Sequence, residues 1–354
     1  MTAAAGRGPR APALIEERTF HAWLRRALRA AMAGPLPLGD DAAAVGIPPG
    51  AVAVVSTDTL VEGTHFLAAS PPRRVGRAAT AVSLSDVAAK GAEPVAVFLA
   101  VVVPRQTRRS WAQQLVRGAE AEAARYGAHV LGGDLKPGRL RTVTSTVVGT
   151  APRRGLVGRS GARAGDVLLT TGEVGRGGAA ALGLRAGSQR RTEAVTGLLS
   201  VRPRVREGIA LARYAHAVLD TSDGLAESAR LLARASRVRL LLDEERLPLA
   251  RALARLRSPA RRRAAAFYGG DYELLAAVPP DRTEAATRAV RKAGGRLTPI
   301  GSVARGGGAF LRTPLGLRPM PPSGWQPFRQ RARSPAGRAG RGVPRSGRPH
   351  GTVK

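Results

Sequence analysis

The chain contains 354 residues, enough for two domains of ordinary size, and 44% of them are hydrophobic, which argues against a disordered chain. It has 57 Lys and Arg against 25 Asp and Glu, a formal net charge of +32, and only four of these bases are lysines. It has no cysteine, which excludes disulfides, thiolate zinc sites, iron–sulfur clusters and catalytic thiols.

Helices and strands alternate along the first half of the sequence. Apolar residues with helical spacing predict helices over residues 15–32, 77–90 and 110–126, the last one capped by Ser110. Apolar or alternating runs predict strands over residues 51–56, 95–103, 129–131 and 140–150. The run at 95–103 is apolar throughout, which predicts a strand buried on both faces.

A Gly- and Arg-rich segment, residues 151–166, precedes a second set of alternating elements. Helices are predicted over residues 178–185, 204–214, 225–235 and 282–292, and strands over residues 167–171, 217–219, 238–242, 271–278 and 297–303. The fold class is therefore α/β, or α+β, with two domains. We expect a disordered N-terminus over residues 1–13, an N-terminal domain over 14–150, a C-terminal α/β domain over 151–328 and a disordered basic tail over 329–354.

The positive charge is unevenly distributed. Residues 40–134 hold nine acids and nine bases, whereas residues 329–354 hold eight bases and no acid. A codon bias towards G and C would also produce a chain rich in Arg, Ala and Gly, so nucleic-acid binding is not favoured as the main function. The longest apolar run has nine residues, too few for a membrane helix, and no signal peptide is recognisable. We therefore expect a cytoplasmic protein.

Seven aspartates lie among small and hydroxylic residues, mostly where a predicted strand ends: Asp40, Asp41, Asp58, Asp86, Asp134, Asp220 and Asp223. One such aspartate usually caps a helix or makes a turn, and that alternative stays open for each of them. Together, however, carboxylates repel one another unless cations lie between them. Oxygen ligands suit Mg²⁺, which commonly bridges nucleotide phosphates in phosphoryl transfer. A P-loop is excluded, because no lysine follows a glycine-rich loop of that spacing.

Seven motifs occur in one order: GDDAA at 39–43, STDTLVEGTHF at 56–66, AVSLSDVAA at 81–89, GGD at 132–134, GRSGARAGD at 158–166, DTSDGL at 220–225 and GGDYEL at 269–274. In these motifs the chain resembles the thiamine-monophosphate kinase family, in the superfamily that also contains aminoimidazole ribonucleotide synthetase. The resemblance extends from about residue 14 to residue 328.

The resemblance implies ATP-dependent phosphorylation of thiamine monophosphate to thiamine diphosphate, by direct transfer and with several Mg²⁺ ions. It also implies an aminoimidazole ribonucleotide synthetase-like fold in two domains. The N-terminal domain of such a fold binds metal and ATP and pairs with a second copy to close a β-barrel. A homodimer with its active sites between the domains is therefore expected.

Site residues follow from the resemblance motif by motif. Metal-ligand positions are occupied by Asp41, Ser56, Thr57, Asp58, Asp86, Asp134, Asp220 and Asp223. ATP-contact positions are occupied by Gly133, Asp134, Arg159 and Ser222, and substrate positions by His65 and Trp325. Structural roles stay open for His65, as a turn histidine, and for Trp325, as a core or lid aromatic.

Three features depart from the family pattern. The family usually has Gly-Gly-Glu-Asp-Tyr-Glu, whereas Gly270 is followed here directly by Asp271. We expect Asp271 to take the substrate contact of the missing acid; the alternative is a loop that binds the substrate more weakly. Leu135 stands where a threonine often occurs, and the basic tail has no counterpart. An aminoimidazole ribonucleotide synthetase-like enzyme is one alternative. A catalytically silent relative with an Arg-rich tail that binds nucleic acid is the other.

Overall fold

The structure is a computed structural model, and it describes residues 14–32, 36, 38, 40–183 and 194–325. The segments for which we predicted disorder, residues 1–13 and 329–354, lie outside this described part. No helix within the described residues is long and apolar enough to cross a membrane.

The first half of the chain is a four-stranded sheet with helices packed on one face. Its strands are β1 (Ala51–Val61), β2 (Glu93–Val103), β3 (His129–Pro137) and β4 (Thr142–Pro152), in the order β1-β4-β2-β3. The β2–β3 pair is parallel and the other pairs are antiparallel. Its helices are α1 (Glu17–Ala27), followed by a 3₁₀ turn at Arg29–Met32, then α2 (Pro72–Ala88) and α3 (Arg109–Ala124).

Helices α2 and α3 touch backbone to backbone. A Cβ atom on Gly76 of α2 would lie 1.9 Å from the carbonyl oxygen of Leu115, and one on Gly118 of α3 would lie 2.0 Å from that of Arg73. Only glycine fits at both positions. This close approach lets small residues of α2 fill the space between the sheet and α3, and it fixes the helix that carries Asp86.

The opposite face of this sheet is open. Along β2, Val97, Leu99 and Val101 are buried under the helices, whereas Ala100 is exposed and Phe98 is half-buried on the other side. The prediction that residues 95–103 are buried on both faces is therefore wrong for the chain as described. An apolar run does not distinguish a strand covered by helices on both sides from one whose second face is open.

The second half is a seven-stranded sheet in the order β11-β10-β7-β9-β5-β8-β6. Its strands are β5 (Val167–Thr171), β6 (Ala217–Asp220), β7 (Arg239–Asp243), β8 (Leu274–Val278), β9 (Leu297–Ala304), β10 (Gly308–Thr313) and β11 (Gly316–Pro319). Its helices are α4 (Arg176–Gly183), α5 (Val205–Ala212), α6 (Leu225–Ser236), α7 (Pro259–Ala266) and α8 (Thr283–Lys292). Helix residues of α6 and α7 pack on one face of the sheet and residues of α5 and α8 on the other, so all five residues of β8 are buried.

The two halves meet where α2 ends. A Cβ atom on Gly208 of α5 would lie 2.1 Å from the carbonyl oxygen of Ala88, so α5 and the end of α2 are in close contact. The segment after β4 continues this junction, because the Val157 N–H donates to the Lys90 carbonyl at 3.3 Å and the Val218 N–H donates to the Gly158 carbonyl at 2.8 Å. The end of α2 is thereby held against β6.

Several predicted boundaries differ from the structure. Strand β1 continues to Val61 and β3 to Pro137, so Asp58 and Asp134 lie inside strands rather than after them. Helix α3 begins at Arg109, and Ser110 lies within its first turn and does not cap it. Helix α7 and the β10–β11 hairpin were not predicted.

Candidate active site

A cleft of about 1070 Å³ lies between the two halves of the chain. Strand β1, the loop after it and helix α2 line it on one side, and β6, the start of α6, residues 268–270 and Tyr272 line it on the other. Its walls include both carboxylates and aromatic rings. The cleft is large enough for a ligand with a ring and several phosphates.

Four of the predicted metal ligands line this cleft: Asp58 on β1, Asp86 on α2, Asp220 at the end of β6, and Asp223 before α6. Alternation along β1 turns the Asp58 side chain to the sheet face that α2 covers. Asp220 and Asp223 stand at the end of a strand, where α/β folds commonly bind ligands. Tertiary contact between the two halves therefore brings together carboxylates that are up to 165 positions apart in the sequence.

Serine hydroxyls orient two of these carboxylates. Ser56 Oγ donates to Asp86 Oδ2 at 2.6 Å, which joins β1 to α2. Ser85 Oγ donates to Asp220 Oδ2 at 2.7 Å, so α2 is hydrogen-bonded to the end of β6 across the junction between the halves. Ser222 Oγ donates to the other oxygen, Oδ1, of Asp220 at 3.0 Å.

The carboxylates destabilise one another's charged form. Burial, followed by the charges of Asp86 and Asp220, raises the pKa of Asp58 to about 7. Burial and the charge of Asp86 raise the pKa of Asp220 to about 6, although the Ser85 and Ser222 hydroxyls act in the opposite direction. Burial also raises the pKa of Asp223, with a smaller contribution from Glu227. A divalent cation between these groups would remove the repulsion.

The donor set fits a magnesium–nucleotide site. Among the residues that the structure describes, no three His, Asp or Glu side chains form a group that would enclose a metal by themselves. Mg²⁺ does not require such a group, because it keeps several waters and binds through one or two carboxylates together with substrate phosphates. Asp58, Asp86, Asp220 and Asp223 offer the carboxylate oxygens that such an ion needs.

Aromatic side chains form the other end of the cleft. The His65 and Trp325 rings are 6.0 Å apart, and the Tyr268 and Trp325 rings are 6.4 Å apart. The Trp325 backbone N–H donates to the Asp223 carbonyl at 3.0 Å, which places this aromatic wall beside the carboxylates. A flat, positively charged ring would be attracted both to the π-faces and to the neighbouring negative charge.

His65 is held as a neutral ring. Its Nδ1 accepts a hydrogen bond from the Val61 N–H at 3.1 Å, and burial lowers its pKa. Because Nδ1 is the acceptor, the proton of the neutral ring lies on Nε2. Nε2–H is then the group that His65 can offer to a ligand as a donor.

Asp271 does not line the cleft. It is 1% exposed, and its Oδ2 and Oδ1 accept from the N–H groups of Gly175 and Gly177 at 2.6 and 2.8 Å. Its carboxylate therefore fixes the start of α4, which does not match the substrate contact that we predicted for it. The next residue, Tyr272, lines the cleft instead, with a left-handed φ of 56° that turns the chain there.

An Asp271→Asn variant is expected to be less stable than the wild type by about 1–3 kcal/mol, because the amide NH₂ would face a backbone N–H that has lost its acceptor. Equilibrium unfolding in denaturant measures this loss. An unchanged stability together with a raised substrate KM would instead place Asp271 in the substrate site.

Three other predicted residues line a separate cavity of about 410 Å³: Asp41, Gly133 and Asp134. This cavity lies between α1, α3, β2 and β3. A Cβ atom on Gly133 would lie 2.0 Å from the Leu99 carbonyl oxygen, so β3 requires glycine there to pair with β2. Asp134 is exposed and pairs with Lys136 at 2.9 Å. Within one copy of the chain, Asp41, Gly133 and Asp134 therefore line a different cavity from the four cleft aspartates.

The remaining predicted residues lie around the cleft or behind it. Ser222 lines the cleft and Ser56 contacts it through Asp86, whereas Thr57 lies on the open sheet face and bonds Thr146 at 2.8 Å. Arg159 is exposed beside the junction, close enough to Lys90 for its charge to lower the pKa of that lysine. Sequence reasoning missed Tyr272 and Lys90. The one signal available in the sequence is that Lys90 directly follows the motif at residues 81–89 and that Tyr272 lies inside the motif at residues 269–274.

Comparisons with known proteins agree with this architecture. The N-terminal domain of AIR synthase related protein matches residues 39–151, and the C-terminal domain of AIR synthase related protein matches residues 163–313. A thiamine-monophosphate kinase of Halobacterium salinarum is 40% identical over 265 residues, 75% of this chain and 87% of that protein. The crystal structure of thiamine-monophosphate kinase from Stenotrophomonas maltophilia K279a is similar with a TM-score of 0.74 and 30% identity, over 81% of this chain and 95% of that chain. The structure of AaThiL complexed with AMPPCP and TMP is similar with a TM-score of 0.68 and 27% identity, over 89% of this chain and 99% of that chain.

Proposed function

Because the chain belongs to the thiamine-monophosphate kinase family, we propose that it transfers the γ-phosphoryl group of ATP to thiamine monophosphate, giving thiamine diphosphate and ADP. The observation that carries this proposal is the cleft itself, where aspartates from both halves of the chain lie next to an aromatic wall. The carboxylates suit a metal-bound triphosphate, and the aromatic wall suits the cationic thiazolium ring.

The acceptor in this reaction needs little activation. It is a phosphate oxygen, and a phosphate monoester already carries close to two negative charges at neutral pH. Transfer therefore depends on positioning and on neutralising the repulsion between two anions, without a general base. The Mg²⁺ ions, when bound, supply that neutralisation. Asp58, Asp86, Asp220 and Asp223 would hold these ions, and the serine contacts to Asp86 and Asp220 orient two of the four carboxylates.

Nucleotide and substrate contacts extend the proposal. Arg159 beside the junction and Ser222 in the cleft would contact the phosphates of ATP, and a guanidinium is well suited to that role. We assign Asp41, Gly133 and Asp134 to the metal and the nucleotide on the strength of their motifs. His65 and Trp325 would contact thiamine monophosphate, His65 through Nε2–H and Trp325 through its ring.

The test is an assay of the purified protein with Mg²⁺, ATP and thiamine monophosphate, in which thiamine diphosphate and ADP are separated chromatographically. We expect stoichiometric formation of both products. An Asp86→Asn variant is the matched control and should be slower by about a hundredfold or more while keeping the fold. No turnover by folded wild-type protein at saturating metal and substrates would refute the proposal in favour of a silent relative.

We also infer a homodimer that closes the open sheet into a barrel. On the open face, Val55 of β1 is 60% exposed although it lies in the middle of a strand. Thr57–Thr146 and Thr59–Thr144 pairs, each joined at 2.8 Å, lie on the same face next to the exposed Ala100. A second copy of this face would cover the exposed apolar residues and the free edge of β1, which is otherwise available for pairing.

A Val55→Arg variant is expected to be monomeric where the wild type is dimeric, because a guanidinium would have to be buried between the two sheets without a partner. Sedimentation velocity measures the masses. Leu315→Arg is the control, since Leu315 is 82% exposed in the turn between β10 and β11 and far from this sheet in the sequence. A monomeric wild type, or a Val55→Arg variant that stays dimeric, would contradict this inference.

A further inference from the structure

Lys90 lies at the junction of the two halves, and the proposed reaction assigns no role to this lysine. It follows the last turn of α2, four positions after Asp86, and its side chain is partly buried. Its Nζ donates to the carbonyl oxygen of Val218 at 3.1 Å. Val218 lies on β6, two positions before Asp220, so this one bond connects the helix that carries Asp86 to the strand that carries Asp220.

The backbone around Lys90 is fixed as well. Its carbonyl accepts from the Val157 N–H at 3.3 Å, and a Cβ atom on the following Gly91 would lie 2.3 Å from the Cβ of Ala212. The backbone of Lys90 is therefore anchored at the junction, and the bond from Nζ to Val218 fixes the position of its ammonium group. Of its three N–H donors, the Val218 carbonyl uses one.

The charges around Lys90 are unequal. Asp86 and Asp220 are close enough to favour its charged form, whereas burial and then Arg159 disfavour that form and lower its pKa. Four aspartates line the nearby cleft, and Lys90 lies behind that lining, within the electrostatic range of Asp86 and Asp220. A buried ammonium with one carbonyl partner is costly unless neighbouring anions compensate it. The carboxylates of Asp86 and Asp220 provide that compensation.

We propose that Lys90 is a positioning residue, a fixed positive charge that ties β6 to α2 and offsets the repulsion between Asp86 and Asp220 before a divalent cation binds. The inference rests on the proposed function for the identity of the site, but its physical content is independent of the reaction. The ammonium and the incoming metal ion compete for the same negative charge. Removing the charge of Lys90 should therefore tighten divalent-cation binding in the absence of nucleotide.

Three substitutions separate charge from hydrogen bonding. Lys90→Gln keeps a donor for the Val218 carbonyl and removes the charge, Lys90→Met removes both, and Lys90→Arg keeps the charge. We expect Mn²⁺ to bind the nucleotide-free Gln and Met variants about three- to tenfold more tightly than the wild type, and the Arg variant with wild-type affinity. Calorimetric titration with Mn²⁺ measures these affinities. The control is Lys292→Met, which removes an exposed lysine at the end of α8.

The proposal would be overturned if Gln or Met left the Mn²⁺ affinity unchanged or weakened it, or if Lys292→Met tightened it equally. Should Lys90→Met not fold, Lys90→Gln alone decides the question. Because the titration requires no turnover, its result is independent of the kinase assay. A protein without kinase activity whose Gln variant still binds Mn²⁺ more tightly would support the role of Lys90 and refute only the proposed function.

Discussion

An Asp58→Asn variant is expected to lose kinase activity and, without Mg²⁺, to unfold at a higher temperature than the wild type. The carboxylate lies among Asp86, Asp220 and Asp223, which together with burial raise its pKa to about 7. An amide of the same shape removes one of the four negative charges and therefore part of the repulsion. It also removes a proposed metal ligand, so turnover should fall by about a hundredfold or more.

The stability effect depends on pH in a definite direction. The usual pKa of this carboxyl is 3.8, so between about pH 4 and pH 7 the folded state holds a proton that the unfolded state has released. Folding stability therefore falls as pH rises through this window, and the full penalty applies above pH 7. Asn cannot ionise and avoids the penalty. The variant should have a Tm higher by at least about 2 °C at pH 8, and this gain should vanish towards pH 4.

Differential scanning calorimetry in EDTA at several pH values measures how the gain in Tm depends on pH. The same scans with Mg²⁺ measure how much the metal ion stabilises each protein. Added Mg²⁺ should stabilise the wild type more than the variant, since only ligands that bind the folded state raise the Tm. The control is Asp243→Asn, because Asp243 pairs with Arg312 at 2.9 Å and lies outside the cleft. That variant should show no gain in Tm. A lower Tm for Asp58→Asn at pH 8 in EDTA would contradict the role of Asp58 in this cluster.

Elements with a strong local pattern could be predicted from the sequence. The strand at residues 167–171 was predicted with the bounds that the structure shows, because an apolar run is followed directly by a glycine turn. Strand β1 was predicted to end at Ser56, since the polar Thr-Asp-Thr run that follows is typical of a loop. It continues because the hydroxyls of Thr57 and Thr59 bond those of β4, and a partner strand about 85 residues away cannot be recognised locally.

Prediction of the site was also limited by contacts between residues that are far apart in the sequence. Ordered motifs identified the aspartates, and the structure brings Asp58, Asp86, Asp220 and Asp223 to one cleft. The orientation of Asp271 could not be predicted, because it depends on the N–H groups of Gly175 and Gly177, more than 90 residues earlier. Lys90 was overlooked for the same reason. A lysine after a helix is common in sequences. Its contact with the Val218 carbonyl becomes evident only in the folded structure.

Replacing Arg204 by Met should destabilise the protein by about 3–5 kcal/mol, because it leaves the buried Glu273 carboxylate without its hydrogen-bonded cation. Arg204 Nε and Nη2 donate to the two oxygens of Glu273, each at 2.6 Å, and Thr171 Oγ1 donates to Oε2 at 2.7 Å. The Glu273 side chain is 3% exposed. Burial alone would lower the pKa of Arg204, but its bonds to Glu273 and Glu207 raise it, so the guanidinium stays charged.

The effect of the unpaired Glu273 charge on stability can be distinguished from the effect of lost packing. If the unpaired charge of Glu273 is responsible, the double variant Arg204→Met/Glu273→Gln should regain a large part of the lost stability, because Gln still accepts from Thr171 and carries no charge. The control is Arg263→Met, which breaks an equally short pair with Glu244 on an exposed surface, where Arg263 is 53% exposed, and should cost no more than about 1 kcal/mol. Denaturant unfolding of all four proteins gives the required free energies. Equal losses in the single and double variants would show that lost packing, and not the buried charge, causes the loss of stability. Recovery in the double variant would show that the unpaired carboxylate of Glu273 causes it.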